Sequence, residues 1–214
     1  MLDTEIARDV LDELLWDTSI NATKINATVA NGAVTLTGAV SAYYDKYRAG
    51  DDARRVHGVT TVQNDILVDI TAERELDVDL VAAAKKGFTA NSLVPPGAID
   101  VTAKDGWVTM TGNVEHHFQR HAADFVVRHL PGLRGYTDHV TVSQDPAKDT
   151  AKRITDSLTR NAAVDAGKIK VTDDSGVVTL SGTVRSFAEM QEAERSAYGS
   201  PGVTTVHDKL VITG

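Results

Sequence analysis

Three polar residues, Asn64, Asp138 and Asp208, hold the same place in three copies of one sequence pattern, 74 and 70 residues apart. Their side-chain oxygens could join backbone carbonyls around a cation, since hard cations are held by several oxygens converging on one point. The commoner use of Asn and Asp at such a place is to tie a strand to neighbouring backbone, and no cluster of acids at a known loop spacing accompanies them. His116, His117 and His121 suggest a second chemistry. His117 and His121 are four apart and share a helical face, as paired metal ligands do. The glutamate of a His-Glu-x-x-His motif is missing, because Phe118 follows His117. The aligned residues of the other copies, Tyr43 with Phe187 and Tyr47 with Gln191, hold no metal, so a solvated helix surface is the simpler reading. Neither a metal nor another cofactor is expected.

Aromatic residues are the remaining chemistry. Trp107 alternates with Thr109 and Thr111 and so falls on the solvated side of a strand. An indole there suits packing between repeats first, and a partner surface or a membrane headgroup zone second. Tyr43, Tyr44 and Tyr47 open a helix, with Phe118 and Phe187 in similar places in the later copies. They are packing residues or points of membrane or partner contact. The sequence contains no Gly-x-Ser-x-Gly elbow, phosphate loop or dinucleotide fingerprint, and no pair of acids at a spacing suited to acid and base roles. No catalytic residue is assigned, and an enzyme is not expected.

The elements that position these groups are written three times. Gly32-Ala-Val-Thr-Leu-Thr-Gly38-Ala-Val40 recurs from Gly106 to Val114 and from Gly176 to Val184, and a second glycine follows twenty residues after the first, at Gly38 to Gly58, Gly112 to Gly132 and Gly182 to Gly202. Each copy opens with a helix. Ile6, Val10, Leu11, Leu14 and Leu15 form its apolar stripe in the first, Leu80, Val81 and Ala84 in the second before Gly87 weakens it, and Ala151, Ile154 and Leu158 in the third. Two alternating runs follow, Ile25/Ala27/Val29 and Val34/Leu36 in the first copy, separated by Asn31-Gly32, Asp105-Gly106 or Ser175-Gly176. Asn-Gly and Asp-Gly are strong signals for a tight hairpin.

A second helix fills the twenty-residue interval. Ala49, Ala123 and Ala193 align along it, Ser186 with Glu189 resembles a capping box, and Gly58, Gly132 and Gly202 are expected to end it. A last strand covers residues 62–68, 136–142 and 206–212. The fold class is therefore α+β: three tandem α-β-β-α-β modules over residues 1–71, 75–144 and 147–214, each a three-stranded sheet with two helices on one face. Pro95-Pro96-Gly97 is expected to lengthen the route from first helix to first strand in the second copy, as a lid or an insertion. Strand order, the orientation of the modules and the oligomeric state stay open.

With 30 acidic and 22 basic residues the formal charge is −8, unevenly spread: 11 acids to 6 bases over residues 1–71, 10 to 7 over 72–145, and 9 to 9 over 146–214. The first two thirds would be repelled by phosphate backbones, so nucleic acid is not an expected partner. An electrostatic grip on anionic lipid is disfavoured for the same reason, except through the third copy. No apolar run approaches the ~20 residues of a bilayer span. Met1-Leu-Asp-Thr-Glu-Ile shows no basic region followed by an apolar run. As written, the chain is expected in the cytoplasm, and in the periplasm if a leader was removed.

The two phrases Gly-x-Val-Thr-Leu-Thr/Ser-Gly-x-Val and Gly-Val-x-x-Val-x-Asn/Asp-x-Leu-x-Val resemble the BON domain, named for bacterial osmotically inducible periplasmic and nodulation proteins. The resemblance covers essentially the whole chain as three copies. The second departs most, with Leu133 for the Val after Gly132 and Tyr136 for the next Val. The resemblance implies a binding module without catalytic residues, of the kind found in envelope proteins associated with osmotic shock and phospholipid contact. The expected function is a stress-associated binding or scaffolding protein that contacts phospholipid surfaces or envelope proteins. The alternatives are a cytosolic small-ligand or potassium sensor and a protein–protein interaction module.

Overall fold

A computed structural model describes residues 2–69, 77–143 and 148–213. In the first repeat Ile6, Val10 and Leu14 lie fully buried along helix α1 (Asp3–Trp16), whereas Leu15 and Trp16 face solvent. Strands β1 (Ile25–Ala30) and β2 (Ala33–Val40) pair antiparallel, with Ala30 opposite Ala33 across the Asn31-Gly32 turn. Both turn residues have positive φ, +53° and +76°, which is why Asn and Gly stand there. Helix α2 (Tyr43–Arg55) returns the chain, and β3 (Thr61–Asn64) with β4 (Leu67–Val68) runs parallel to β2. A parallel neighbour needs a crossover connection, and α2 supplies it.

The second repeat repeats this order as α3 (Asp77–Ala90), β5 (Ile99–Lys104), β6 (Trp107–Val114), α4 (His117–Arg128) and β7 (Gly135–Val142). The third has α5 (Thr150–Arg160), a 3-10 turn over Ala166–Lys168, β8 (Ile169–Asp174), β9 (Val177–Val184), α6 (Phe187–Tyr198) and β10 (Thr205–Ile212). The second strand is central in every sheet: β1-β2-β3, β5-β6-β7 and β8-β9-β10. The α+β modules read from the sequence are present. In the third, Ile154, Leu158, Val178, Leu180, Ala193 and Ala197 belong to one buried cluster.

By contact the chain divides into two units. One comprises Met1–Val114 and Phe118–Thr141, the other Glu115–His117 and Val142–Gly214. The first two repeats thus share a unit.

Glycine in the central strand has a steric cause. A Cβ on Gly38, Gly112 or Gly182 would lie 2.0, 2.1 or 2.0 Å from the carbonyl oxygen of Lys24, Ala98 or Lys168. The loop entering the first strand crosses the central strand there, and backbone contact leaves no room for a side chain.

Several sequence expectations need correction. Helix α3 runs past Gly87 to Ala90. A Cβ on Gly87 would lie 2.4 Å from Val126, so this glycine lets α4 approach α3. The buried stripe of α5 is Thr150, Ile154 and Leu158, not Ala151. Pro95-Pro96-Gly97 adds no length: residues 17–24, 91–98 and 161–168 connect first helix to first strand alike in the three repeats. Gly58, Gly132 and Gly202 have the expected positive φ, but they turn the chain into the last strand beyond a helix that has already ended. Ser186 accepts from the Glu189 amide as a capping box requires, whereas the Glu189 carboxylate reaches Arg185 and Asp165.

Candidate functional site

Asn64, Asp138 and Asp208 sit at the same point of the last strand, and one oxygen of each is spent alike. Oδ1 accepts from the amide two residues on: Ile66 at 3.3 Å, Val140 at 2.8 Å and Leu210 at 2.7 Å. The rest of each group turns toward the second helix, where the repeats differ. Asn64 Nδ2 donates to the Lys46 carbonyl at 2.6 Å, and a Cβ at Gly50 would lie 2.9 Å from that nitrogen. Asp138 takes a 2.6 Å ion pair from Arg120. Asp208 faces Glu194, whose carboxyl is held above its ordinary value by burial and by that neighbour. The shared function of the three is to lock the strand, with a second contact that changes from neutral to cationic to acidic.

The tyrosines that open α2 meet the second repeat. The Tyr43 ring stands edge-on to Tyr136 at 5.6 Å, Tyr44 lies 4.4 Å from the His129 ring, and the Arg128 guanidinium lies 3.9 Å above the Tyr47 ring. Arg128 also pairs with buried Asp124 and donates to the Tyr136 hydroxyl at 3.1 Å, and that hydroxyl donates to Asp124. Burial and the bond to Asp124 hold the Tyr136 phenol well above its ordinary value, despite Arg128. The partner that Tyr43 and Tyr44 engage is thus the neighbouring repeat.

Trp107 is half exposed. Its Nε1 donates to Thr137 Oγ1 at 2.9 Å and its ring covers Gly135, where a Cβ would lie 2.4 Å away. Both contacts lie inside one sheet. Phe118 is 53% exposed, and Phe187 is partly buried at the start of α6. His117 is buried, with Nε2 3.1 Å from the Val203 carbonyl and its ring 4.3 Å from that of Tyr198, whereas His121 is exposed. The two do not converge.

Sequence reasoning missed the buried acids of the second helices. Asp52 is 1% exposed; its Oδ1 meets Arg48 at 3.3 Å and Arg55 at 3.2 Å, and its Oδ2 has no hydrogen-bond partner among the described residues. Arg48 also donates to Asp17 at 2.8 Å, so one guanidinium joins the loop after α1 to α2. Burial, against the pull of Arg48, pushes the Asp52 carboxyl up to about 6, and Asp17 beside it adds to the rise. Glu189 is the corresponding anchor of the third repeat. Its two oxygens accept from the amides of Asp165 at 2.6 Å and Arg185 at 2.8 Å. Aligned Asp45 is buried as well and bonds the backbone of Asn21. These acids position loops.

Comparison with known proteins agrees with this repeated architecture. The chain is 26% identical over 139 residues to osmotically-inducible protein Y of Escherichia coli (strain K12), covering 63% of this chain and 69% of that protein. Among solved structures, the C-terminal domain of CdsD, the structural protein of the type III secretion system of Chlamydia trachomatis, overlays all of both chains at 14% identity. Its TM-score of 0.28 is too low to inform fold or site. The BON domain family matches residues 2–69, 77–144 and 146–214, the three stretches that each fold into a helix-covered sheet with the same crowded central-strand glycine. The chain belongs to the BON domain family and carries that domain three times in tandem.

Proposed function

We propose that this protein is a non-catalytic binding and scaffolding protein of osmotic stress, whose repeats contact phospholipid surfaces or envelope proteins. The observation that carries the reading is the exposure of large aromatic side chains on a chain of formal charge −8. Trp107 is 50%, Phe118 53%, Phe125 62% and Trp16 84% exposed. Rings held at a polar surface suit a headgroup zone or a protein partner, because one end stays wet while the body leaves water. The similarity to osmotically-inducible protein Y supports the stress association. No helix among the described residues is long and apolar enough to cross a membrane, so contact would be peripheral.

Co-sedimentation with vesicles of phosphatidylethanolamine and phosphatidylglycerol tests the lipid version. Trp107→Ala and Phe118→Ala are expected to lower the bound fraction several-fold. Absent binding, or binding unchanged in both variants, rejects lipid contact and leaves an envelope protein to be captured under osmotic stress. A saturable, potassium-selective amide response at Asn64, Asp138 or Asp208 would transfer the assignment to a cation sensor.

A further inference from the structure

The third repeat holds a groove of about 550 Å³ between one side of α5 and the end of α6. Arg153, Ser157 and Arg160 line it from α5, and Arg195, Ser196 and Ser200 from α6 and the turn beyond. We propose that this groove binds a phosphoryl anion. Guanidinium groups match phosphate oxygens in a two-pronged geometry, and the Ser157 and Ser196 hydroxyls add neutral donors, while the Ser200 hydroxyl donates to the Ser196 carbonyl.

The charges of the groove remain available. Among the described residues neither Arg153 nor Arg160 has a carboxylate partner. The one acid on the wall, Asp156, is 3.6 Å from Lys152, and Arg195, itself 77% exposed, is paired at 3.0 Å with the less exposed Glu192. Helix dipoles explain part of this arrangement: Arg160 ends α5 and Arg195 lies in the last turn of α6, where cations are favoured. They do not explain Arg153, a cation near the start of α5, where the dipole opposes it.

The fold does not demand these arginines either. The positions aligned with Arg153, Arg160 and Arg195 are Ala83, Ala90 and Phe125 in the second repeat, and Asp9, Trp16 and Asp51 in the first. One scaffold thus presents an acidic, an apolar and a basic wall at the same place. The basic one is specific to the third repeat, whose charge is balanced while the rest of the chain is acidic. Anion binding here does not depend on the aromatic contact proposed above.

The test is a titration of the full chain at constant ionic strength, followed by amide resonances, with inorganic phosphate and glycerol 3-phosphate against chloride. Saturable shifts centred on Ser157, Ser196 and Ser200 are expected. In Arg153→Ala/Arg160→Ala the dissociation constant should rise at least tenfold. That exchange installs residues the second repeat already carries on the same helix, and an unchanged spectrum elsewhere verifies folding. Vesicles of phosphatidic acid, against phosphatidylcholine, form the second arm. Sedimentation with phosphatidic acid that the arginine variant loses and Trp107→Ala keeps assigns a lipid headgroup, whereas a phosphate response without vesicle binding assigns a soluble phosphoester. Shifts reproduced by chloride, or indifferent to the arginine pair, overturn the proposal while leaving the aromatic contact untouched.

Discussion

The guanidinium of Arg128 lies 3.9 Å above the ring of Tyr47, and the two residues belong to different repeats. Arg128 meets three kinds of partner at once: the π face of Tyr47, the buried carboxylate of Asp124 and the hydroxyl of Tyr136. A cation so placed over a ring contributes about 1–2 kcal/mol once partly desolvated. It joins the first two repeats with a directional contact that apolar area alone would not specify. In a double-mutant cycle, Tyr47→Leu and Arg128→Met should show a coupling of about 1 kcal/mol by urea unfolding. A coupling near zero would mean that Tyr47 merely fills space.

Asp52 predicts a fall in stability with rising pH. Its carboxyl titrates near 6 in the folded protein, against an ordinary value of 3.8. Between those values the folded state holds a proton that the unfolded chain has released, so stability decreases from about pH 4 to pH 6 and stays lower above. Asp17 shifts the other way, because Ser19 and Arg48 favour its charged form, and its contribution is lost only in stronger acid. The two windows are separate. Asp52→Asn should flatten the decline between pH 4 and 6, removing up to about 3 kcal/mol of pH dependence. Urea midpoints at pH 4.5 and 7.5 measure it; parallel curves for variant and parent would refute the assignment.

Much of this was legible in the sequence because the informative signals are local. Asn31-Gly32 implied its turn, alternation at Val34 and Leu36 implied the buried face, and the aligned alanines Ala49, Ala123 and Ala193, all fully buried, marked the second helix. What escaped depends on partners distant in sequence. Asp52 takes meaning from Asp17, which reaches it through Arg48, and Asp124 from Tyr136 on the last strand. On a helical wheel these acids look like ordinary solvated charges. Tyr43 and Tyr44 admit packing and outside contact alike in the sequence, because nothing in one repeat announces that their rings will meet the next. Gly87 seemed a weak point for the same reason, since its purpose is Val126 on another helix.

The repeated glycines allow a graded test of steric cause. In Gly182→Ala the new carbon would sit 2.0 Å from the Lys168 carbonyl at φ +123°, and the obstruction is backbone that cannot swing aside. The loss should be about 3 kcal/mol or more. Gly97 has φ +73° with nothing within 4 Å of the added carbon, so Gly97→Ala carries only the left-handed backbone penalty of about 1 kcal/mol. Comparable losses at both positions, measured by thermal unfolding, would show that conformation and not contact sets the requirement in the central strand.

Glu189 gives the opposite pH signature to Asp52. Burial pushes its carboxyl up, but the amides of Arg185 and Asp165 and the Arg185 side chain more than offset that, and the folded value lies below the ordinary 4.5. Its contribution is therefore complete above about pH 4.5 and declines as acid protonates the folded protein. Glu189→Gln keeps the shape and loses an acceptor: one end of the amide must present N–H groups to a backbone N–H that now has no oxygen to meet. The cost should be about 2 kcal/mol at pH 7 and should shrink in acid as the parent protonates. Faster hydrogen exchange at Asp165 should accompany it, because that amide fastens the loop before β8. A variant equally stable at pH 7, with Asp165 still protected, would show that the loop is held by its 3-10 turn and not by the carboxylate.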